Sequence, residues 1–370
     1  MGRQLVDYLQ LAWSHVQVFT VNRGRTYWSD ARKPSLVADR RNASIYKKAI
    51  QKIMTENAAI RWKGIIDFCA FGKGDIEDAL PDCVFAAFPV YVLISTDSVY
   101  EVIPHIGRLV GSVDEAATDT RDKLIKKIDE YGHDKLMAEQ ALMRRAGSNQ
   151  SLFVLRLPDV IGEFDDTGRF WSYKLWIESG VPLHIPPGAS QTLAFVYAGD
   201  VVRFIIGLIE RVVQTGLRET MNICCTEQVS LVELLGMIGS CCGKQVQVER
   251  GSNSFYPSVE QRKGVLSIVK AERFGWRPTP LAQAVNQTVT WLHSAETIHL
   301  PELRDFLKGL PKPVRNGLAS RFPIEHLNRL KRTSSSSDSS DSSSDSSDSS
   351  DSSRSSRSSS SSSRSSRSSD

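Results

Sequence analysis

Leu5, Val6, Leu9 and Trp13 recur at helical spacing, and Val16, Val18 and Val21 then alternate as a strand does. From 44 to 55 the helical pattern returns, with Ile45, Ala49 and Ile53 on one face. Residues 75–80 predict a short helix stopped by Pro81. The run Tyr91-Val92-Leu93-Ile94-Ser95 is apolar on both parities, which predicts a parallel strand covered on both faces. A long helical pattern over 119–146 follows, and then a strand over 152–157. Strands alternating with helices predict an α/β fold with a doubly wound parallel sheet.

Beyond Gly162 the texture changes. Phe170, Trp171, Tyr173, Trp176 and the stretch Ile185-Pro186-Pro187-Gly188 predict a smaller lobe over the carboxyl edge of the sheet, where ligands bind in such folds. Amphipathic helices are predicted within that lobe at 231–239 and 281–292. The organisation that results is a Rossmann-like dinucleotide-binding region over 1–160 and a substrate lobe over 161–296, interleaved with it. After these come a basic linker over 297–332, loosened by Pro311, Pro313 and Pro323, and a tail over 333–370. After Thr333 the tail contains only Ser, Asp and Arg, so it has no apolar area to bury and is expected to be disordered.

Composition narrows this picture little. Of 370 residues, 41% are hydrophobic and 24% charged, ordinary values for a globular chain. The net charge of +4 becomes about +6 when the tail is set aside, too mild to argue for nucleic acid. Six cysteines include the neighbours Cys224-Cys225 and Cys241-Cys242. Adjacent side chains on a strand point to opposite faces and no zinc-type spacing accompanies them, so free structural thiols and no metal site are expected. Met1 leads straight into an amphipathic pattern and no apolar run is long enough to span a membrane. A cytoplasmic location is expected, with the nucleus as the alternative that the tail suggests.

The candidate chemistry lies in Tyr131-Gly132-His133-Asp134-Lys135 and, upstream, Ser95-Thr96-Asp97-Ser98-Val99-Tyr100. Tyr131 and Lys135 share a helix face. A lysine ammonium beside a tyrosine favours tyrosinate and is expected to lower its pKa from about 10. With a hydroxyl on a neighbouring strand end, this is a proton-transfer site. His133 falls off that face and is expected to be exposed.

These motifs resemble the short-chain dehydrogenase/reductase superfamily in its extended, epimerase/dehydratase-like branch, over roughly residues 2–295. The likeness includes Val16 to Thr26 as the second strand and turn, Ala38-Asp39-Arg40-Arg41 as the end of the third strand, and Gly64 to Ala70 as the fourth. Leu155 to Gly162, Phe195 to Val202 and Phe274 to Pro280 look like later landmarks. The family opens with a strand and a Gly-x-x-Gly-x-x-Gly turn that holds the dinucleotide pyrophosphate. Here only Gly2 looks like a glycine of that turn. The first strand is expected to be missing, leaving a gap between strands two and four, as in an N-terminally truncated member or one that has lost catalysis.

The resemblance implies Thr96, Tyr131 and Lys135 as catalytic residues. It implies Gly2, Asn22, Arg23, Arg25, Asp39, Arg40, Ala70 and Pro158, with Tyr131 and Lys135, at the cofactor, and Asp97, Ser98 and Asp159 at the substrate. Asp97 is equally a turn cap, Asp39 equally a strand-end cap, and Asp200 an N-cap. Asn22 with two arginines suits a 2′-phosphate, so NADP is favoured over NAD; the alternative is a solvated basic loop. The implied activity is an NAD(P)-dependent oxidoreductase or epimerase on a sugar or nucleotide-linked substrate, with homodimerisation through the 119–146 helix. The competing reading is a non-catalytic relative that senses NADP or binds RNA or protein through its Ser-Arg-rich tail. The intact triad favours the first reading and the missing phosphate turn favours the second.

Overall fold

The computed structural model describes residues 1–13, 15–24, 34–104, 112–119, 124, 126–165, 167–185, 192–211, 216–251, 265–298 and 306–322. The chain divides into two compact units, Met1–Leu327 and Asn328–Asp370, and the second lies outside the described residues, as do residues 299–305 and 323–332 of the expected basic linker and all of the tail.

The first half runs α1 (Gly2–Ala12), β1 (Val21–Asn22), β2 (Leu36–Val37), α2 (Ala43–Glu56), β3 (Ile65–Asp67), α3 (Lys73–Glu77), α4 (Asp82–Ala87), β4 (Val90–Thr96), β5 (Ser112–Val113), α5 (Glu130–Arg145) and β6 (Ser151–Leu157). Strands β3, β4 and β6 pair in parallel, and β11 (Arg218–Asn222) adds to the far edge, giving the order β11-β6-β4-β3. Every residue of β4 and of β6 is buried, as a parallel sheet covered on both faces requires. Side-chain alternation divides them. Val90, Val92, Ile94, Phe153 and Leu155 pack with Leu5 and Leu9 of α1, while Tyr91, Leu93, Leu152 and Val154 pack with Ala138, Ala141 and Leu142 of α5.

Strands β1 and β2 pair only with each other among the described residues. The expected gap between the second and fourth family strands is therefore present between β1 and β3. Side chains bridge it at both ends. Phe19, Trp62 and Phe88 pack in tilted pairs with ring centroids 5.3 and 5.0 Å apart. At the other end the Arg40 guanidinium, just past β2, pairs with Asp67 of β3 at 2.7 Å and donates to the Asp75 carbonyl.

The second half adds β7 (Asp159–Ile161), α6 (Arg169–Ser179), β8 (Leu183–Ile185), β9 (Thr192–Leu193), β10 (Phe195–Tyr197), α7 (Ala198–Arg211), β12 (Val229–Ser230), α8 (Leu231–Cys241), β13 (Val248–Arg250), β14 (Val265–Leu266), α9 (Val269–Arg273), α10 (Leu281–Ile298) and α11 (Lys312–Gly317). Phe170, Trp171, Trp176, Leu234, Leu235, Leu281 and Leu292 form the core of the lobe. Helix α7 instead packs beneath the main sheet through Val201, Val202 and Ile205.

Two expectations need correction. The long helix does not begin at 119. It begins at Glu130, where the Asp129 side chain accepts from the Gly132 amide at 2.9 Å and caps it. Nor is all of 297–332 a loose linker: Leu307, Leu310, Val314, Leu318 and Phe322 are buried in the lobe core. Their three- and four-residue spacing is a helical stripe, masked in the sequence by intervening lysines, arginines and prolines.

Candidate active site

Strand β4 ends at Thr96, whose hydroxyl accepts from the Ser98 amide at 3.2 Å and starts a 3₁₀ turn over Asp97–Tyr100. The first turn of α5 rests on that turn. A Cβ on Gly132 would lie 2.1 Å from the Ser98 carbonyl oxygen, so only glycine permits the approach. This close contact sets Tyr131 beside Thr96, and the two side chains hydrogen-bond.

The electrostatics differ from the sequence-based expectation. The Tyr131 pKa is raised, not lowered: burial raises it, Thr96 lowers it, and the charges of Asp97 and Asp129 raise it further. Lys135 is turned away to other partners. Its ammonium donates to the carbonyls of Ala70 at 2.8 Å and Ile94 at 2.6 Å and lies 5.3 Å from the centre of the Phe71 ring. Burial pulls the Lys135 pKa below its ordinary value, against the pull of Asp67 and Glu139.

Beneath these groups is a buried polar network. Glu139, one turn beyond Lys135 on α5, accepts from the Ser95 hydroxyl and from Arg156 of β6, the closest Arg156 contact being 2.6 Å. Arg156 also donates to the Tyr100 hydroxyl at 3.1 Å. That hydroxyl donates to Asn222 of β11 at 2.6 Å, and the Asn222 amide donates to Glu115 at 2.7 Å. Burial pushes Tyr100 up to about 12, so its proton stays in place to donate. The network joins β4, α5, β6 and β11 directly under the candidate site.

Above them opens a cleft of about 620 Å³ at the carboxyl ends of β4 and β6. Thr96, Asp97, Ser98, Tyr131, Lys135, Pro158 and Asp159 all line it. Asp97 is buried, and Asp159 pairs with Arg169 of α6 at 2.5 Å. Met1 lines the cleft while Gly2, the first residue of α1, sits against Phe68. Ala70 is fully buried and meets the site through its carbonyl.

The remaining candidate cofactor residues lie on the β1–β2 pair. Asn22 accepts from the Gly24 amide at 2.8 Å, and Gly24 takes φ +71°, so Asn22 holds a turn. Arg23 is exposed. Its charge, with the stronger hydrogen bonds of Arg41, holds the exposed Asp39 carboxyl down at about 2. Arg40 is committed to Asp67 and Asp75, and Arg25 lies outside the described residues.

Several residues of the cleft carried no sequence signal of their own. Phe164 takes φ +61°, lies under Arg3 at 4.1 Å and packs against Trp291. Arg169, Glu163 and Phe71 also line the cleft. The bracketing Gly162 and Gly168, both at positive φ, marked the loop without marking which residues it would present. Glu139 was within reach, being four residues past Lys135 on the same helix face.

Residues 76–224 match the family model for the NAD dependent epimerase/dehydratase family. A dTDP-4-dehydro-6-deoxy-D-allose reductase from a Streptomyces species is 29% identical over 157 residues, covering 41% of this chain and 46% of that protein. The match thus spans about half the length of that relative. Among solved structures, a dTDP-glucose 4,6-dehydratase from Bacillus anthracis in complex with NAD superposes with a TM-score of 0.61 at 15% identity, covering 81% of this chain and 96% of that one. A UDP-glucose 4-epimerase from Thermotoga maritima with UDP-glucose gives 0.56 at 18% identity over 80% and 96%. The matched segment is thus similar to the NAD dependent epimerase/dehydratase family, and the chain shares a Rossmann-like fold with these solved enzymes.

Proposed function

We propose that the chain is an NAD(P)-dependent oxidoreductase or epimerase-like enzyme acting on a sugar or nucleotide-linked substrate, with Tyr131 exchanging the proton. The observation that carries this reading is the meeting of Thr96, Tyr131 and Lys135 in one cleft at the carboxyl edge of the sheet. Thr96 and the Tyr131 hydroxyl, already hydrogen-bonded, would hold the same substrate oxygen. A Tyr131 pKa above its ordinary value keeps the proton on the phenol, which suits donation to a carbonyl and so the reductive direction. Asp97, Ser98 and Asp159 would meet the rest of the substrate.

The residues fit a nicotinamide dinucleotide at its reactive end. The cleft is wide enough, and the buried Lys135 has carbonyl-held protons that ribose hydroxyls would take over. When bound, the dinucleotide supplies or accepts the hydride. Arg23 and Asn22 favour NADP at the adenine end, as does the exposure of Arg23. One observation favours the non-catalytic reading: the adenine-side residues sit on or beside a strand pair with no backbone strand pairing to the main sheet among the described residues, tied to it there by the Arg40–Asp67 pair.

An NADPH titration by fluorescence, with NADH alongside, tests the reading. Saturable binding with NADPH tighter is expected. Tyr131→Phe should leave binding intact and lower turnover by roughly 10²–10⁴-fold. A folded protein that binds neither dinucleotide would leave the triad a relic and favour the non-catalytic reading.

A further inference from the structure

Lys135 lines the cleft yet is only 2% exposed. An ammonium has three protons to donate, and among the described residues the carbonyls of Ala70 and Ile94 take two. The Phe71 ring lies against the ammonium with its centre 5.3 Å from Nζ, where the electron-rich face attracts the charge. Phe71 lines the same cleft and is 52% exposed, so the ring is the solvent-side cover of the buried lysine. It packs in none of the apolar cores among the described residues, so the fold depends on it little. The backbone beneath it is held. The Ala70 amide donates to Asp67 at 3.0 Å, and the amides of Phe71 and Gly72 donate to Asp75 at 2.8 and 3.1 Å.

A free ring on a held backbone leaves rotation about the side-chain bonds as the way to uncover Lys135. The same ring lies 6.3 Å from the Tyr131 ring, so one rotation clears space beside both residues. From this arrangement we infer that Phe71 gates Lys135. With the gate closed, the ring holds the ammonium; with the ring turned away, ribose hydroxyls take its place. Apparent affinity for the dinucleotide falls in proportion to the fraction of molecules whose ring is turned away. The inference rests on the oxidoreductase reading above and adds the residue that controls entry to its lysine.

The test uses the whole chain and the variants Phe71→Ala and Phe71→Leu, the second keeping bulk without the aromatic face. NADPH titrations should give about three- to tenfold tighter binding for Phe71→Ala and a smaller gain for Phe71→Leu. A damaged fold would weaken binding, so a gain is not what a merely structural role produces. A second readout needs no dinucleotide: limiting acetic anhydride, with acetylated lysines measured by peptide mass spectrometry. Lys135 should label slowly in the wild type and several-fold faster in Phe71→Ala, while the exposed Lys52 labels alike in both. Burial pulls the Lys135 pKa down and so favours the reactive neutral amine, which makes slow labelling a report of the cover and not of the charge. Where the wild type binds NADPH, unchanged or weaker binding by Phe71→Ala, or equal labelling of Lys135, would overturn the gate and leave the Tyr131 reading standing. No NADPH binding by any of the three folded proteins would overturn the oxidoreductase reading, and the gate with it.

Discussion

Two glycines show how much a single atom decides here. In α5, an alanine at 132 would gain about 1 kcal/mol of helix propensity. Its methyl, however, would sit 2.1 Å from a backbone oxygen that has no flexible end to move. We expect Gly132→Ala to be destabilising by about 1–3 kcal/mol in urea denaturation, and to reduce activity beyond its effect on stability by pushing Tyr131 off Thr96. Gly236 is the control. It is an exposed position of α8, where an added methyl would meet nothing within 4 Å, so Gly236→Ala should stabilise by roughly 0.5–1 kcal/mol. Tyr131 gives a second prediction at this scale. With its pKa raised above the ordinary value, the phenol stays protonated at neutral pH in the folded protein. Comparing tyrosinate absorbance of the wild type and Tyr131→Phe should therefore show a lost signal on the alkaline side of the ordinary tyrosine titration. A signal lost between pH 7 and 9 would restore the lysine-lowered value that the sequence spacing suggested.

At the level of elements, legibility followed the physical source of each signal. Strand β4 was readable because a strand covered on both faces reads as a near-continuous apolar run, broken here only by Ser95 and Thr96 at its end, and β6 for the same reason apart from Ser151 and Arg156. The alternation of Val16, Val18 and Val21 promised a longer strand than Val21–Asn22, because β1 has a single partner to hold it. The start of α5 depended on one capping carboxylate, Asp129, that a helical stripe running on both sides of it concealed. Tyr131 and Lys135 were named from their spacing and Thr96 from the family resemblance, and all three line one cleft. Arg169 and Phe164 were not named, since a loop presents side chains without periodicity. What joins these elements is the Arg156–Glu139 pair, with side chains 3% and 5% exposed. Removing one partner strands the other charge in the interior. Arg156→Met is expected to cost about 3–5 kcal/mol, and the double variant with Glu139→Met should recover much of it. A double variant as unstable as the single one would mean that the ties to Ser95, Tyr100 and Thr118, not the charge pair, hold β6 to α5.

Across the whole molecule, the lobe closes on the chain's later segment through charge as well as apolar contact. Lys174, fully buried on α6, donates to Glu178 at 2.8 Å and to Glu296 of α10 at 2.6 Å. Arg321 pairs with Glu178 at 2.8 Å and also with Glu296, and His293 reaches Glu178 at 3.3 Å. This clamp is why residues 306–322 pack as core. Burial raises the Glu178 pKa, but the cations beside it win, and the net value lies below its ordinary 4.5. A carboxylate lowered on folding adds stability above its unfolded pKa and loses it as pH falls through the folded value. Stability of the lobe should therefore fall as pH drops below about 4.5, and proteolysis should then cut first between 298 and 322. Lys174→Met should weaken the lobe at neutral pH and flatten that acid dependence, because one of the cations that lower Glu178 is gone. An unchanged acid slope in Lys174→Met would shift the dependence to other carboxylates and leave Leu310, Val314 and Leu318 as the main hold on the segment.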